Sequence, residues 1–337
     1  MVDGGEPIGR TAGTEAYAGA AFRKAPGRGI SERSPPGRVR RPYDERMDPF
    51  VSAEWLRAHR AEVVLVDIRW YIDGRPGRPA YEAGHIPGAV FVDLDAVLSG
   101  PHSDGDSTGR HPLPTPERFA AGLAAVGIGD GDTVIAYDDA GGVIAARLVW
   151  MLRAIGHDAA LLDGGLTAWP VEDLHSGSPR PRPVATFTPV PWPAERLASI
   201  DEVTHLSAAL TGDASPKDGA SQAGRTEVLI DARDRGRFAG GPDPVDPRSG
   251  HIPGARNVPT REHLDAAGLV ASPEQLRETF AAAGIEAGTL VISSCGSGVT
   301  ACHNLLALEH AGLGEQRLYV GSFSEWSRDP GKAVETS

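Results

Sequence analysis

Only two cysteines occur in the 337 residues, and one of them, Cys295, stands where a thiol can be made reactive. An apolar run, Leu290-Val-Ile-Ser-Ser294, ends at it, and Gly296-Ser-Gly-Val-Thr300 then leads into a stretch of helical character. Glycines at 296 and 298 free the backbone to turn successive N–H groups inward, forming an anion-binding nest. The N-terminus of the helix that follows adds partial positive charge. Both effects favour thiolate over thiol, and the thiolate is the nucleophile. Gly296, Gly298, Val299 and Thr300 are therefore expected to bind an anion held at the sulfur. Cys302, seven residues on, has no such loop and reads as a packed helix residue. The spacing is not Cys-x-x-Cys, so a thioredoxin-type dithiol is not supported.

A loop of this kind needs a strand before it and a helix after it, and the chain supplies that grammar twice. Val63-Val-Leu-Val-Asp-Ile-Arg69 matches Val228-Leu-Ile-Asp-Ala-Arg233, and Gly84-His-Ile-Pro-Gly-Ala89 recurs as Gly250-His-Ile-Pro-Gly-Ala255. Val134-Ile-Ala-Tyr-Asp138 matches Val291-Ile-Ser-Ser-Cys295, and Gly164–Trp169 matches Gly321–Trp326. The offsets are 164, 166, 157 and 157 residues, too long for a solenoid repeat and right for two copies of one domain. Short apolar runs read as buried strands. Helical stretches at 52–59, 116–126, 145–155, 273–283 and 300–310 alternate with them. The fold class is therefore α/β, with two tandem domains, each a mainly parallel sheet flanked by helices. Their expected bounds are 48–170 and 196–330, joined by a proline-rich extended linker at 171–195. Segment 212–225 reads as a surface loop. The position that matches Cys295 in the first domain is Asp138, which cannot act as a sulfur nucleophile, so one active and one inactive domain are expected.

Composition narrows the function. Charged residues make up 23% and hydrophobic residues 40%, as in soluble globular chains. Two cysteines cannot build a disulfide scaffold or a four-cysteine zinc site. No metal or organic cofactor is implied. The net charge of -12 argues against nucleic-acid binding. No apolar run is long enough to span a membrane; the best candidate, 142–156, is interrupted by Arg147 and Arg153. Residues 1–46 carry a local charge of +3, leaving -15 for the rest. They lack periodicity and the apolar core of a secretory signal, and are expected to be a disordered tail. Two cysteines without an export signal fit a reducing cytoplasm.

The repeated Gly-His-Ile-Pro-Gly-Ala motifs, the Asp-x-Arg strand ends, the Cys295 loop and Gly321-Ser-Phe-Ser-Glu-Trp326 together resemble the tandem-domain rhodanese family, the thiosulfate and 3-mercaptopyruvate sulfurtransferases. The resemblance covers about residues 50–330 and implies that the second domain carries the catalytic cysteine. It implies that Cys295 takes a sulfane sulfur from a small-molecule donor, becomes a persulfide, and passes the sulfur to cyanide, a thiol or thioredoxin. Family members favouring thiosulfate resemble Cys-Arg-Lys-Gly-Val-Thr; those favouring 3-mercaptopyruvate resemble Cys-Gly-Ser-Gly-Val-Thr, as here. Arg237 falls on the family's substrate-binding arginine. The family's second arginine falls on Asp246, so Arg248 is the expected substitute. The resemblance also pairs Ser297 with a histidine of the first domain, expected here as His85; Asp73 lies only close to the accompanying acid. Two alternatives remain on the same loop: a thiosulfate:cyanide sulfurtransferase and a persulfide carrier serving a protein acceptor. A dual-specificity phosphatase, which shares the fold, needs Cys-x5-Arg, and the residue six after Cys295 is Ala301.

Overall fold

The computed structural model describes residues 47–101, 108–178, 181–212 and 226–337; the expectations for 1–46 and most of 212–225 fall outside these. The first domain holds strands β1 (Phe50–Val51), β2 (Val63–Asp67), β3 (Val90–Phe91), β4 (Thr133–Tyr137) and β5 (Ala159–Leu162). The second holds β6 (Leu197–Ala198), β7 (Glu227–Asp231), β8 (Arg256–Asn257), β9 (Leu290–Ser294) and β10 (Glu315–Tyr319). The sheet orders are β1-β5-β4-β2-β3 and β6-β10-β9-β7-β8, with every pairing parallel. The two orders are the same order, so the duplication read from motifs is also a duplication of topology. In each sheet the chain leaves the central pair in opposite directions, which opens a crevice outside the carboxyl ends of those strands. Asp138 and Cys295 lie there, just past β4 and β9.

The helices are α1 (Ala53–Ala58), α2 (Gly77–Ala83), α3 (Pro116–Ala125), α4 (Ala146–Ala154), α5 (Ile200–Thr211), α6 (Arg235–Phe238), α7 (Pro273–Ala282), α8 (Ala301–His310) and α9 (Ser322–Trp326). Their starts follow local chemistry. Thr115 and Ser272 accept N–H bonds as caps, each followed by proline in the first turn. All nine residues of α4 and the first eight of α8 are buried, Arg147 and Arg153 of α4 included. The two pack on each other, and one apolar core runs through them from the first domain into the second. A buried ion pair between Arg153 and Glu309 spans the same contact. Segment 181–193 has no regular structure, yet it is fastened to the first domain. Ala185 donates to the Ala124 carbonyl, Asp130 donates its N–H to Thr186, and Phe187 is buried against Phe119.

Both Gly-His-Ile-Pro-Gly-Ala motifs form the same turn. His85 donates through Nδ1 to the Tyr81 carbonyl at 3.0 Å, and His251 to Phe238 at 2.8 Å. Each histidine lies flat on the ring of that same partner. The following isoleucine is buried in each. Arg69 and Arg233 fold back on Asp67 and Asp231 as buried pairs and also hold carbonyls at Gly84 and Gly250. These twin contacts close each turn onto its strand.

Candidate active site

The Cys295 loop is built by three neighbours. From within, the Gly298 N–H donates to Cys295 Sγ at 3.1 Å. Gly298 has φ +74, and a Cβ there would lie 2.4 Å from the Val320 carbonyl oxygen; only glycine fits. From behind, α9 holds the loop's backbone. Phe323 and Ser324 donate to the carbonyls of Cys295 and Gly296, and Ser322 Oγ accepts the Cys295 N–H while donating to Tyr319. Ser322 has φ +52, the one non-glycine in the left-handed region among the described residues. Such backbone persists only where its surroundings over-determine it, and here its hydroxyl bridges two buried backbone groups.

The first domain shows what this loop geometry does to an anion. Asp138, at the matching strand end, accepts N–H bonds from Ala140, Gly142, Ile144 and Ala145 at 2.7–2.9 Å. The nest there is filled by the chain's own carboxylate. In the second domain the Cys295 sulfur takes that position.

The third neighbour comes from the first domain. The segment Gly109-Arg-His111 docks on α9, with the Arg110 N–H donating to Ser324 Oγ at 3.0 Å. It delivers two side chains to the loop. His111 Nδ1 lies 2.7 Å from Ser297 Oγ, and its Nε2 lies 3.3 Å from Asp95. A carboxylate only accepts, so Nε2 carries the proton and Nδ1 accepts from the Ser297 hydroxyl. Burial lowers the pKa of His111 despite Asp95, and the His111 hydrogen bond holds the Asp95 carboxyl below its usual range. The ring is therefore neutral near pH 7, and Trp70 packs edge-on against it.

Arg110 and Arg237 converge above Gly296; a Cβ there would sit 3.0 Å from one guanidinium and 3.4 Å from the other. Asp246 ion-pairs with both, and Asp243 with Arg237. Burial pushes the Asp246 carboxyl up while Arg110 pulls it down. Burial also opposes charge at Asp243, but N–H bonds from Val245 and Asp246, together with Arg237, hold it below the ordinary carboxylate range. The arrangement can orient an anion beside the sulfur, with its positive charge partly offset. The cavity lined by Arg110, Arg237, Gly296 and Cys295 measures about 910 Å³ and is walled by both domains, including Trp70, Tyr71, Val143, Arg233 and Thr260.

Two sequence expectations are corrected. His85 does not meet Ser297; it is spent on the Tyr81 carbonyl, its backbone pairs with His175, and His111 holds the position instead. Arg248 does not line the cavity. It donates to the carbonyls of Trp326, Ser327, Asp329 and Lys332, and ties down the chain after α9. Arg237, Gly296, Val299 and Thr300 do lie in the cavity wall with Cys295 and Ser297. Arg110, His111 and Asp95 lie outside the motifs that the two domains share, so the repeat carries no signal for them.

A family model described as "Rhodanese-like domain" matches this chain twice, at residues 52–172 and 215–329. A Pseudomonas aeruginosa relative, by name a "Probable 3-mercaptopyruvate sulfurtransferase", is 40% identical over 85% of this chain and 98% of its own length. The human 3-mercaptopyruvate sulfurtransferase is 37% identical over 82% of this chain and 91% of its own. Among solved structures, the 3-mercaptopyruvate sulfurtransferase from Leishmania major superposes with a TM-score of 0.68 at 32% identity, over 83% of this chain and 74% of that one.

Proposed function

The chain belongs to the rhodanese family as a tandem-domain sulfurtransferase, and from that premise we propose that it draws sulfur from 3-mercaptopyruvate and carries it as a persulfide on Cys295. On this reading residues 196–330 hold the nucleophile, and residues 48–170 form the partner domain that completes its site. Arg110 and Arg237 hold the donor's carboxylate above Gly296. The Cys295 thiolate attacks the donor sulfur, the C–S bond breaks, and its electron pair leaves as the enolate of pyruvate. The proton that began on the donor thiol ends on the methyl carbon of pyruvate, and the persulfide anion remains in the nest of loop N–H groups. A thiol, thioredoxin or cyanide then removes the outer sulfur and returns the thiolate.

The observation that carries this reading is the Ser297–His111–Asp95 chain beside Cys295. Mercaptopyruvate cleavage needs a proton moved from sulfur towards the enolate, and a hydroxyl backed by a neutral imidazole can hold and relay it. Thiosulfate cleavage releases sulfite and needs no such proton. The loop itself holds no cation for a dianion, and Asp243 and Asp246 offset the arginines that flank it. A reducing compartment such as the cytoplasm would keep the thiolate available.

Steady-state turnover with each donor tests this on wild type, Cys295→Ser and His111→Ala. The expected result is a kcat/KM favouring mercaptopyruvate, abolished in Cys295→Ser. In His111→Ala it should fall about 10²-fold for mercaptopyruvate, within the span of general acid–base catalysis, and by much less for thiosulfate. A thiosulfate preference, or equal loss with both donors, would overturn the assignment.

A further inference from the structure

Arg147, in the first turn of α4, is a fully buried cation. The other arginine of that helix, Arg153, meets Glu309. Arg147 has no carboxylate partner among the described residues. Its Nη1 donates to the Gly298 carbonyl at 2.8 Å, its Nη2 to the His111 carbonyl at 3.1 Å, and its Nε has no partner. An unpaired ion in a protein interior is costly, so a chain that keeps one there has a use for the charge. Both carbonyls belong to the candidate active site. One lies in the loop that cradles Cys295 Sγ, and the other carries the histidine that bonds Ser297.

The ionisable groups around this guanidinium are few. From α8 comes the Cys302 thiol, which donates to the same Gly298 carbonyl at 3.3 Å, is the larger electrostatic partner of Arg147, and has its pKa pushed up to about 12 by burial. From the loop comes Cys295, whose interaction with Arg147 is the smaller of the two. From the docked segment comes His111, neutral as argued above. Arg110, Arg237 and Asp246 stand on the cavity side of Gly296. Cys302 stays a thiol, so the group in this set that becomes an anion is Cys295.

We propose that Arg147, contributed by the domain without the nucleophile, is the buried counter-cation of the anionic sulfur on Cys295, thiolate and persulfide alike. It is a positioning residue: it pins the Gly298 carbonyl to the back of the loop, which leaves the Gly298 N–H facing the sulfur, and its field favours the charged forms of that sulfur. The inference rests on Cys295 being the sulfur carrier.

Two variants separate charge from hydrogen bonding. Arg147→Gln retains a donor for the Gly298 carbonyl without the charge, and Arg147→Lys retains the charge. The measurement is the pH dependence of iodoacetamide alkylation at Cys295, quantified by mass spectrometry on the full chain. Arg147→Gln is expected to raise the apparent Cys295 pKa by about one unit, roughly a tenfold loss of thiolate at pH below it, with Arg147→Lys close to wild type. Equal pKa values in wild type and Arg147→Gln overturn the proposal, because a purely structural pin would lower stability without moving the titration. Should Arg147→Gln not fold, arginine-labelled wild type carries the test. Its Arg147 Nε resonance is expected to shift when the protein is loaded with sulfur from mercaptopyruvate and to stay fixed in Cys295→Ser; an unmoved resonance in loaded wild type overturns the proposal. If wild-type Cys295 neither alkylates readily nor loads sulfur, the sulfur-carrier reading itself fails and takes the inference with it. A reactive Cys295 indifferent to Arg147→Gln removes the inference alone.

Discussion

At the scale of single residues, two histidines divide the work that one was expected to do. His85 and His251 occupy identical turns and make identical bonds to a backbone carbonyl, and a role shared by both domains is a role in folding. His111 has no twin and bonds Ser297. His85→Gln should therefore change mercaptopyruvate kcat by less than about threefold while lowering the unfolding midpoint, because the Tyr81 carbonyl loses one of its two donors and a hydrogen bond is worth about 0.5–1.5 kcal/mol net. Urea melts and steady-state rates on the same preparations check both halves. Cys295 was legible in the sequence because its first contact is local: the Gly298 N–H that meets its sulfur is three residues away. The same holds for Asp138 and its four loop N–H groups. Arg110, His111 and Asp95 could not be read that way, since 186 residues separate His111 from Ser297. The correction at Arg248 has a similar cause. Spacing placed an arginine near the expected position, and the carbonyls at the end of the chain claimed it.

At the scale of elements, the short helix α9 is the support on which the Cys295 loop is cast. It receives the loop's two carbonyls and one N–H, and Gly298 packs on the strand end just before it. Gly298→Ala would force a side chain into the left-handed region and against the Val320 carbonyl, which together cost about 2–4 kcal/mol. Loss of turnover beyond the loss of stability is expected, measured as kcat at a temperature where the variant remains folded. Ser322→Ala should leave the Cys295 N–H without its acceptor, lower stability by about 1–3 kcal/mol, and slow sulfur loading in a single-turnover experiment. Helices α1, α3, α4, α7 and α8 and strands β2, β4, β7 and β9 were readable from apolar runs alternating with helical stretches; α2, α5, α6 and α9 were not. The pairing of α4 with α8 was visible only as two stretches too apolar to face water. Nothing in their sequences says that each covers the other.

At the scale of the whole molecule, the candidate site belongs to neither domain alone. The second domain supplies Cys295, its loop and Arg237; the first supplies Arg110, His111, Asp95 and the buried Arg147. The second domain expressed by itself would expose the apolar face of α8, and it should aggregate and show no mercaptopyruvate turnover, as read by light scattering and activity. The shared core also sets an acid limit. Burial lowers the pKa of His263 to about 4 and of His303 to about 3, and neither ring has a hydrogen-bond partner. The unfolded chain binds these protons at a higher pH than the folded one, so the folded state is favoured fully above about pH 6.5 and loses up to about 1.4 kcal/mol per pH unit per histidine as pH falls below that. His303→Phe should flatten this slope in urea melts between pH 7 and 4; an unchanged slope would assign acid sensitivity elsewhere. No helix among the described residues is long and apolar enough to cross a membrane. The sequence by itself determined the duplication, the parallel α/β class and the strand-end loops that hold Asp138 and Cys295, because periodicity and turn chemistry act over a few residues. Tertiary structure decided which histidine meets Ser297, which arginines face the sulfur and where Arg147 lies. Those choices depend on two domains pressing α4 against α8, and contacts across that surface leave no spacing in the chain to read.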